Sequence, residues 1–184
     1  MGKAAMIAGI GCRAGVSGEQ VAAAIDAAIA ALTVAAHPAM PMTEGLAADK
    51  ATRGAAQLPL HLTAIATAAS KATERGIREA ANARGVPVLA IGQLELEAAD
   101  VATATRSTHS MAAFNVNSVA EAAALAGASA IAADAATRDS AAAVAGVPTA
   151  ANAADLAPDR AARLLLARIT VGPVTCALAD TTSP

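Results

Sequence analysis

A short apolar run that ends in glycines and leads into a capped helix constrains this chain more than any other feature. Residues 3–10 are apolar, brief and closed by glycine, the pattern of a buried strand. Ser17 follows as an N-cap with Gln20 three residues on, a capping-box spacing. Val21, Ile25, Ile29 and Leu32 then recur at helical spacing and draw one apolar stripe. Strand, glycine turn and helix make the first half of a βα unit, which commits the chain to an α/β fold.

The rest of the chain extends this alternation. Residues 62–67 and 88–91 predict two further strands. Between them, residues 71–84 predict a helix with Gly85 as its C-cap and Pro87 just beyond. Residues 93–100 predict a short helical turn and residues 103–117 a polar loop. Ser118 with Glu121 is a second capping box, opening a helix to about residue 128. Residues 164–169 and 174–179 predict two strands paired as a hairpin across Gly172-Pro173. The expected architecture is three-layer α/β/α, with a mostly parallel sheet and a C-terminal antiparallel hairpin. Ligands of such sheets bind beyond the carboxyl ends of the strands, so the loops after Ile10, Thr67 and Ile91 share the functional edge. Two stretches interrupt the pattern. Residues 37–60, punctuated by Pro38, Pro41, Gly45, Gly54 and Pro59, predict an irregular connection. Residues 129–162 are alanine-rich and predict marginal helices or a poorly ordered insert within a single domain of 184 residues.

Composition excludes several functions. The chain has one Phe and no Tyr or Trp, which argues against binding single strands by base stacking. Its net charge is −2 with no basic run, so no nucleic-acid surface is expected. The longest apolar run, residues 21–36, is alanine-rich and interrupted by Asp26, and no membrane span is expected. Residues 4–10, ahead of Cys12, are too short for a signal-peptide core. The expectation is a cytoplasmic protein with Cys12 and Cys176 reduced.

The glycine segment is the first candidate site. Gly9, Gly11 and Gly15 let a ligand approach the backbone, and the helix that begins near Ser17 offers N–H groups and a partial positive charge. Arg13 adds a bidentate fork for a carboxylate or phosphate; a tight turn with a solvated Arg13 is an equal reading. The segment is neither a dinucleotide fingerprint, since position 14 is Ala14, nor a phosphate loop, since no Gly-Lys-Ser/Thr follows. An electropositive corner would lower the pKa of Cys12, against the reading of Cys12 as an inert buried thiol. Lys71, on the same edge, suits a second anionic group, with Glu74 placed to fix Lys71 or cap the helix. Arg106 and Ser107 form a third anion-binding candidate, against a solvated loop. Cys12 and Glu74 are the candidate catalytic groups. The three His and two Cys show no metal-ligand spacing, so neither metal nor cofactor is expected.

Five segments in order carry a family resemblance: Gly9-Ile10-Gly11-Cys12-Arg13-Ala14-Gly15, Lys71-Ala72-Thr73-Glu74 ahead of Gly85-Val86-Pro87, Thr105-Arg106-Ser107, Ser118-Val119-Ala120-Glu121-Ala122-Ala123, and Thr175-Cys176-Ala177-Leu178-Ala179. Together they resemble the CobE / CbiG C-terminal domain family of cobalamin (vitamin B12) biosynthesis. Free-standing CobE is the nearer likeness, by the Thr-Arg-Ser segment and the chain length. The resemblance implies a role at the corrin-ring-forming stage. The implied partner is a precorrin or hydrogenobyrinic-acid-type tetrapyrrole, bound or carried between other corrin biosynthesis enzymes. The alternative it implies is a cobalt-precorrin-5A hydrolase-like C–C hydrolase that opens a ring lactone.

Overall fold

A computed structural model of the chain describes residues 5–36, 61–143 and 162–181. β1 (Ala5–Cys12) is the middle strand of five, in the order β3-β2-β1-β5-β4. It pairs in parallel with β2 (His61–Ala68), which pairs in parallel with β3 (Val88–Ile91). On its other side β1 pairs antiparallel with β5 (Val174–Thr181), which is hairpinned to β4 (Ala162–Val171). The parallel half and the C-terminal hairpin match the sequence expectation. Gly172, at φ 57°, supplies the left-handed corner of the hairpin that its Gly-Pro sequence did not make obvious.

Period-2 alternation in the strands sends side chains to two helical layers. On one face, Met6 and Ile10 of β1 with Cys176 and Leu178 of β5 meet α1 (Gly18–Ala36) and α2 (Arg75–Arg84). On the other, Ile7 of β1 with Ala177 and Ala179 of β5 meet α3 (Gln93–Asp100) and α5 (Val119–Ala143). A short helix α4 (Thr108–Phe114) precedes α5. α1 and α5 are each long and apolar enough to cross a membrane, but each lies along a face of the sheet, with Val21 and Ile25 of α1 and Ala120 and Ala124 of α5 in the core.

Besides extensions of one or two residues in β2, β4 and β5, four differences from the sequence reading stand out. β1 continues through Cys12, so Gly9 and Gly11 lie within the strand and the turn falls at residues 13–15. Gly9 is there because α5 crosses directly over it. A Cβ at that position would overlap the Ala120 carbonyl oxygen and lie 2.5 Å from the Ala124 nitrogen. Helix α2 begins at Arg75, after a separate 3-10 turn at Ala69–Lys71, and ends as expected in a left-handed Gly85. Residues 108–114, expected as loop, are the helix α4. Ser107 caps it by accepting from the Ser110 N–H at 3.3 Å, and Asn115 closes it at φ 52°. No long apolar stripe advertised so short a helix.

The fourth difference is the length of α5. It does not stop near residue 128 but runs to Ala143, so residues 129–143 of the expected insert are one continuous helix. Alanine is the best helix former, and a run of it extends a helix that packing has already nucleated. The remainder of that insert up to residue 161 lies outside the described residues, as does the irregular connection expected at 37–60.

Candidate functional site

The carboxyl ends of β1 and β2 and the β4–β5 corner converge on one edge of the sheet. The Arg13 N–H donates to the Pro173 carbonyl at 3.3 Å, and the Thr175 hydroxyl donates to the Gly11 carbonyl at 3.0 Å. These bonds fix the glycine segment against the hairpin and leave a cleft of about 330 Å³ beside them. Among the described residues its basic lining is Arg13, Lys71, Arg168 and His109, with no carboxylate. Ser107, Ser110, Thr170 and Thr175 contribute hydroxyls, and Phe114, Val119 and Pro173 give an apolar wall.

Of the residues proposed from sequence, Gly11, Cys12, Arg13, Lys71 and Ser107 line this cleft. The others are placed around it. Gly9 is buried beneath α5. Ser17 is occupied by the reciprocal capping box, with the Ser17 N–H donating to Gln20 Oε1 at 3.0 Å and the Gln20 N–H to Ser17 Oγ at 3.3 Å. Gly15 and Gly18 donate their N–H groups to the carboxylates of Glu74 and Glu79, at 3.4 and 3.3 Å. The Gly15 N–H and the Ser17, Gly18 and Gln20 N–H groups at the start of α1 are thus taken by the chain's own side chains, contrary to the expectation of N–H groups open to a ligand. The helix starts that reach the cleft are those of α4, through Ser107 and His109, and of α5, through Val119. Arg106 contributes its carbonyl, which accepts from Arg168 Nη2 at 3.2 Å.

Of the two candidate catalytic groups, Cys12 follows the buried-thiol reading, and Glu74 fixes Lys71, one of its two expected roles. Cys12 is half-buried, and burial pushes its thiol pKa up; nearby Lys71 opposes this and Glu74 adds to it. Desolvation outweighs the positive charge because the Lys71 cation is already shared with Glu74. Lys71 Nζ and Glu74 Oε1 are 3.2 Å apart, with both side chains 23% exposed. The hydrogen bond from Lys71, then that from the Gly15 N–H, hold the Glu74 pKa below the usual carboxylate range. Cys12 and His109 both line the cleft, with no hydrogen bond between them among the described residues. Cys176 is buried in β5 with its pKa pushed up to about 12 by desolvation, and both thiols are free. Among the described residues no group of three or more His, Cys, Asp or Glu side chains comes together in a way that would hold a metal.

The predicted loop pointed to an anion site at residues 103–110, which hold His109, but gave no sign that Ser110 and Phe114 would face it, because the helix that turns them there was not foreseen. Sequence reading missed Arg168 although a signal was present: a lone arginine interrupts the apolar strand 164–169. Thr175 was within reach too, as the residue that opens β5 beside the glycines.

The family model described as cobalamin synthesis G C-terminus matches residues 6–179. The fold is similar to the crystal structure of CobE, a protein from the cobalamin (vitamin B12) biosynthetic pathway, with TM-score 0.64 and 22% identity over 98% of this chain and 93% of that one. It is also similar to the cobalamin biosynthesis protein chiG from Agrobacterium tumefaciens, with TM-score 0.53 and 26% identity over 97% of this chain and 99% of that one. A search of curated protein sequences found no match. With the family model spanning nearly the whole chain, from Met6 in β1 to Ala179 in β5, the chain belongs to the cobalamin synthesis G C-terminal family.

Proposed function

We propose that this protein serves cobalamin biosynthesis at the corrin-ring-forming stage by binding a precorrin-type tetrapyrrole in the cytoplasm and passing it to other corrin biosynthesis enzymes. The observation that carries this reading is the basic lining of the cleft: among the described residues Arg13, Lys71, Arg168 and His109 face it, with no carboxylate. Corrin precursors are macrocycles fringed with acetate and propionate groups. Each charge-assisted bond from such a fringe to the cleft would contribute about 1.5–3 kcal/mol. Pockets for small molecules span about 300–1,000 Å³, and this one, at about 330 Å³, is at the small end. It suits one carboxylate-bearing edge of the ring, with Phe114 and Val119 against the ring's apolar flank.

Binding is favoured over lactone hydrolysis by the state of the two candidate catalytic groups. A thiol whose pKa is raised is a poor nucleophile at neutral pH, and a carboxylate held ionised by Lys71 is a weak base. Turnover of a precorrin lactone that is abolished in Cys12→Ala or Glu74→Gln would reverse this preference.

Titration of the purified protein with hydrogenobyrinic acid tests the binding reading. A shift in the corrin absorbance and co-elution on gel filtration are expected. Arg13→Ala and Arg168→Ala should each weaken binding by about tenfold, and added salt should weaken it further. Absence of both the spectral shift and the co-elution would refute the reading.

A further inference from the structure

Glu121 is a fully buried charged side chain on an otherwise apolar stretch of α5. Its spacing from Ser118 suggests a capping box, but only half of one forms. The Glu121 N–H donates to Ser118 Oγ at 3.4 Å, while the Glu121 carboxylate is directed away from the cap to other elements. Oε2 accepts from the N–H groups of Ala104 at 2.6 Å and Thr105 at 3.1 Å. Oε1 accepts from the Thr105 hydroxyl at 2.6 Å and from the Arg168 N–H, in β4, at 3.0 Å.

Burying a carboxylate is costly unless its lone pairs are filled, and here four donors fill them. An apolar residue would pack on this face without that cost, as its neighbours Ala120, Ala122 and Ala123 do. What the carboxylate joins is therefore informative. The residues it holds flank the cleft: Ala104 and Thr105 lead to Ser107 and His109, and Arg168 is one of the cleft's cations. The Arg168 guanidinium closes the loop by donating to the Arg106 carbonyl. A second carboxylate secures the far end of the same segment, as Asp100 accepts from the Asn117 N–H at 2.6 Å and from Asn117 Nδ2 at 2.7 Å.

We propose that Glu121 is a positioning residue for the cleft: its buried carboxylate sets the 104–114 segment and β4 in register, so that Ser107, His109 and Arg168 meet one anionic ligand together. This rests on the binding role proposed above for the cleft. Replacement by glutamine keeps the shape but turns an amide NH₂ toward N–H donors, which unmakes part of the network.

The test measures hydrogen exchange and corrin binding on the full chain. In Glu121→Gln, the amides of Ser107, Ser110 and Met111 should exchange about tenfold faster. None of the three is bonded to Glu121: they donate to Asn117 O, Ser107 Oγ and Ser107 O. Amides of the β1–β2 ladder should not change. Affinity for hydrogenobyrinic acid should fall about tenfold. The control is Ile25→Val, which lowers stability on the opposite face of the sheet and should leave both readouts unmoved. Thr105→Val removes one bond of the four and should give the same pattern, weaker, if Glu121→Gln does not fold. Exchange confined to Ala104, Thr105 and Arg168, acceleration spread evenly over the chain, or unchanged affinity in a variant of a binding-competent protein would overturn the positioning role. If the wild type does not bind the corrin, the binding role fails, and the exchange pattern still decides whether Glu121 orders the cleft wall.

Discussion

The two faces of the sheet are built from different materials. Toward α1 and α2 the buried side chains are large: Met6, Ile10, Ile25, Ile65, Ile77 and Leu178. Toward α5 most are alanine, among them Ala64, Ala66, Ala120, Ala124, Ala177 and Ala179. The same strands feed both, so the alternation along β2 and β5 sorts side chains by size as well as by direction. The first face is stabilised by the area its side chains bury. On the second, little area is available per residue, and stability depends on how closely helix and sheet approach. Gly9 under Ala120 and Ala124, and Gly127 over Ala66 and Ile7, mark where that approach is tightest. Growth should therefore damage the α5 face, and shrinkage the α1 face.

The largest effect is expected from Gly9→Val. The clash is with helix backbone, which cannot rotate away, so the cost should exceed the about 1–3 kcal/mol usual for overpacking and abolish cooperative urea unfolding. Gly9→Ala should already be strongly destabilising; wild-type stability in that variant would show that α5 does not lie so close.

Next is the opposite operation on the opposite face. Ile25→Ala should cost about 2–5 kcal/mol by cavity formation, whereas Ala124→Gly on α5 should cost only about 1 kcal/mol, mostly helix propensity. Equal losses in urea titrations of the two variants would erase the contrast between the faces.

A third effect is confined to high pH. The folded-state pKa of Cys176 is raised to about 12, so the native state retains a proton that the unfolded chain releases above about pH 9. Stability from this group is complete below that pH and declines as pH rises toward 12, by up to about 1.4 kcal/mol per pH unit. The chain has no tyrosine to obscure the slope. Cys176→Ala should flatten it in unfolding titrations across that range.

The smallest effect belongs to the cleft edge. The depressed Glu74 pKa means its contribution is present at neutral pH and fades on acidification through the carboxylate range. The carboxylate is solvent-accessible, so the contribution is small. Glu74→Gln should slightly reduce the loss of thermal stability between neutral and acid pH; an increased loss would contradict the Lys71–Glu74 pairing.

Much of this was legible from local pattern. The strands at 62–67 and 88–91, the Gly85 cap and the capping box at Ser17 are short-range features, set by neighbours within a few residues. What escaped depended on contacts distant in sequence. Gly9 and Gly11 read as turn glycines because a strand glycine under a helix carries no local mark. The helix α4 was hidden because its seven residues have no long apolar stripe. Glu121 read as half of a capping box, since nothing near it in sequence shows that its partners are at 104, 105 and 168.

The amino-acid order was enough to set the α/β alternation, the parallel half of the sheet, the C-terminal hairpin and the edge on which Gly11, Cys12, Arg13 and Lys71 gather. Periodicity, caps and glycines act over one or two turns, and the handedness of the crossovers does the rest. Folding in three dimensions settled which groups are free to act there. It gave the Gly15 N–H to Glu74 and the α1 start to Glu79, raised the thiol pKa of Cys12 by burial, and brought Arg168 and His109 into the cleft. Charge compensation and desolvation depend on which groups end up adjacent in space, and adjacency across more than fifty residues is a property of the packed chain.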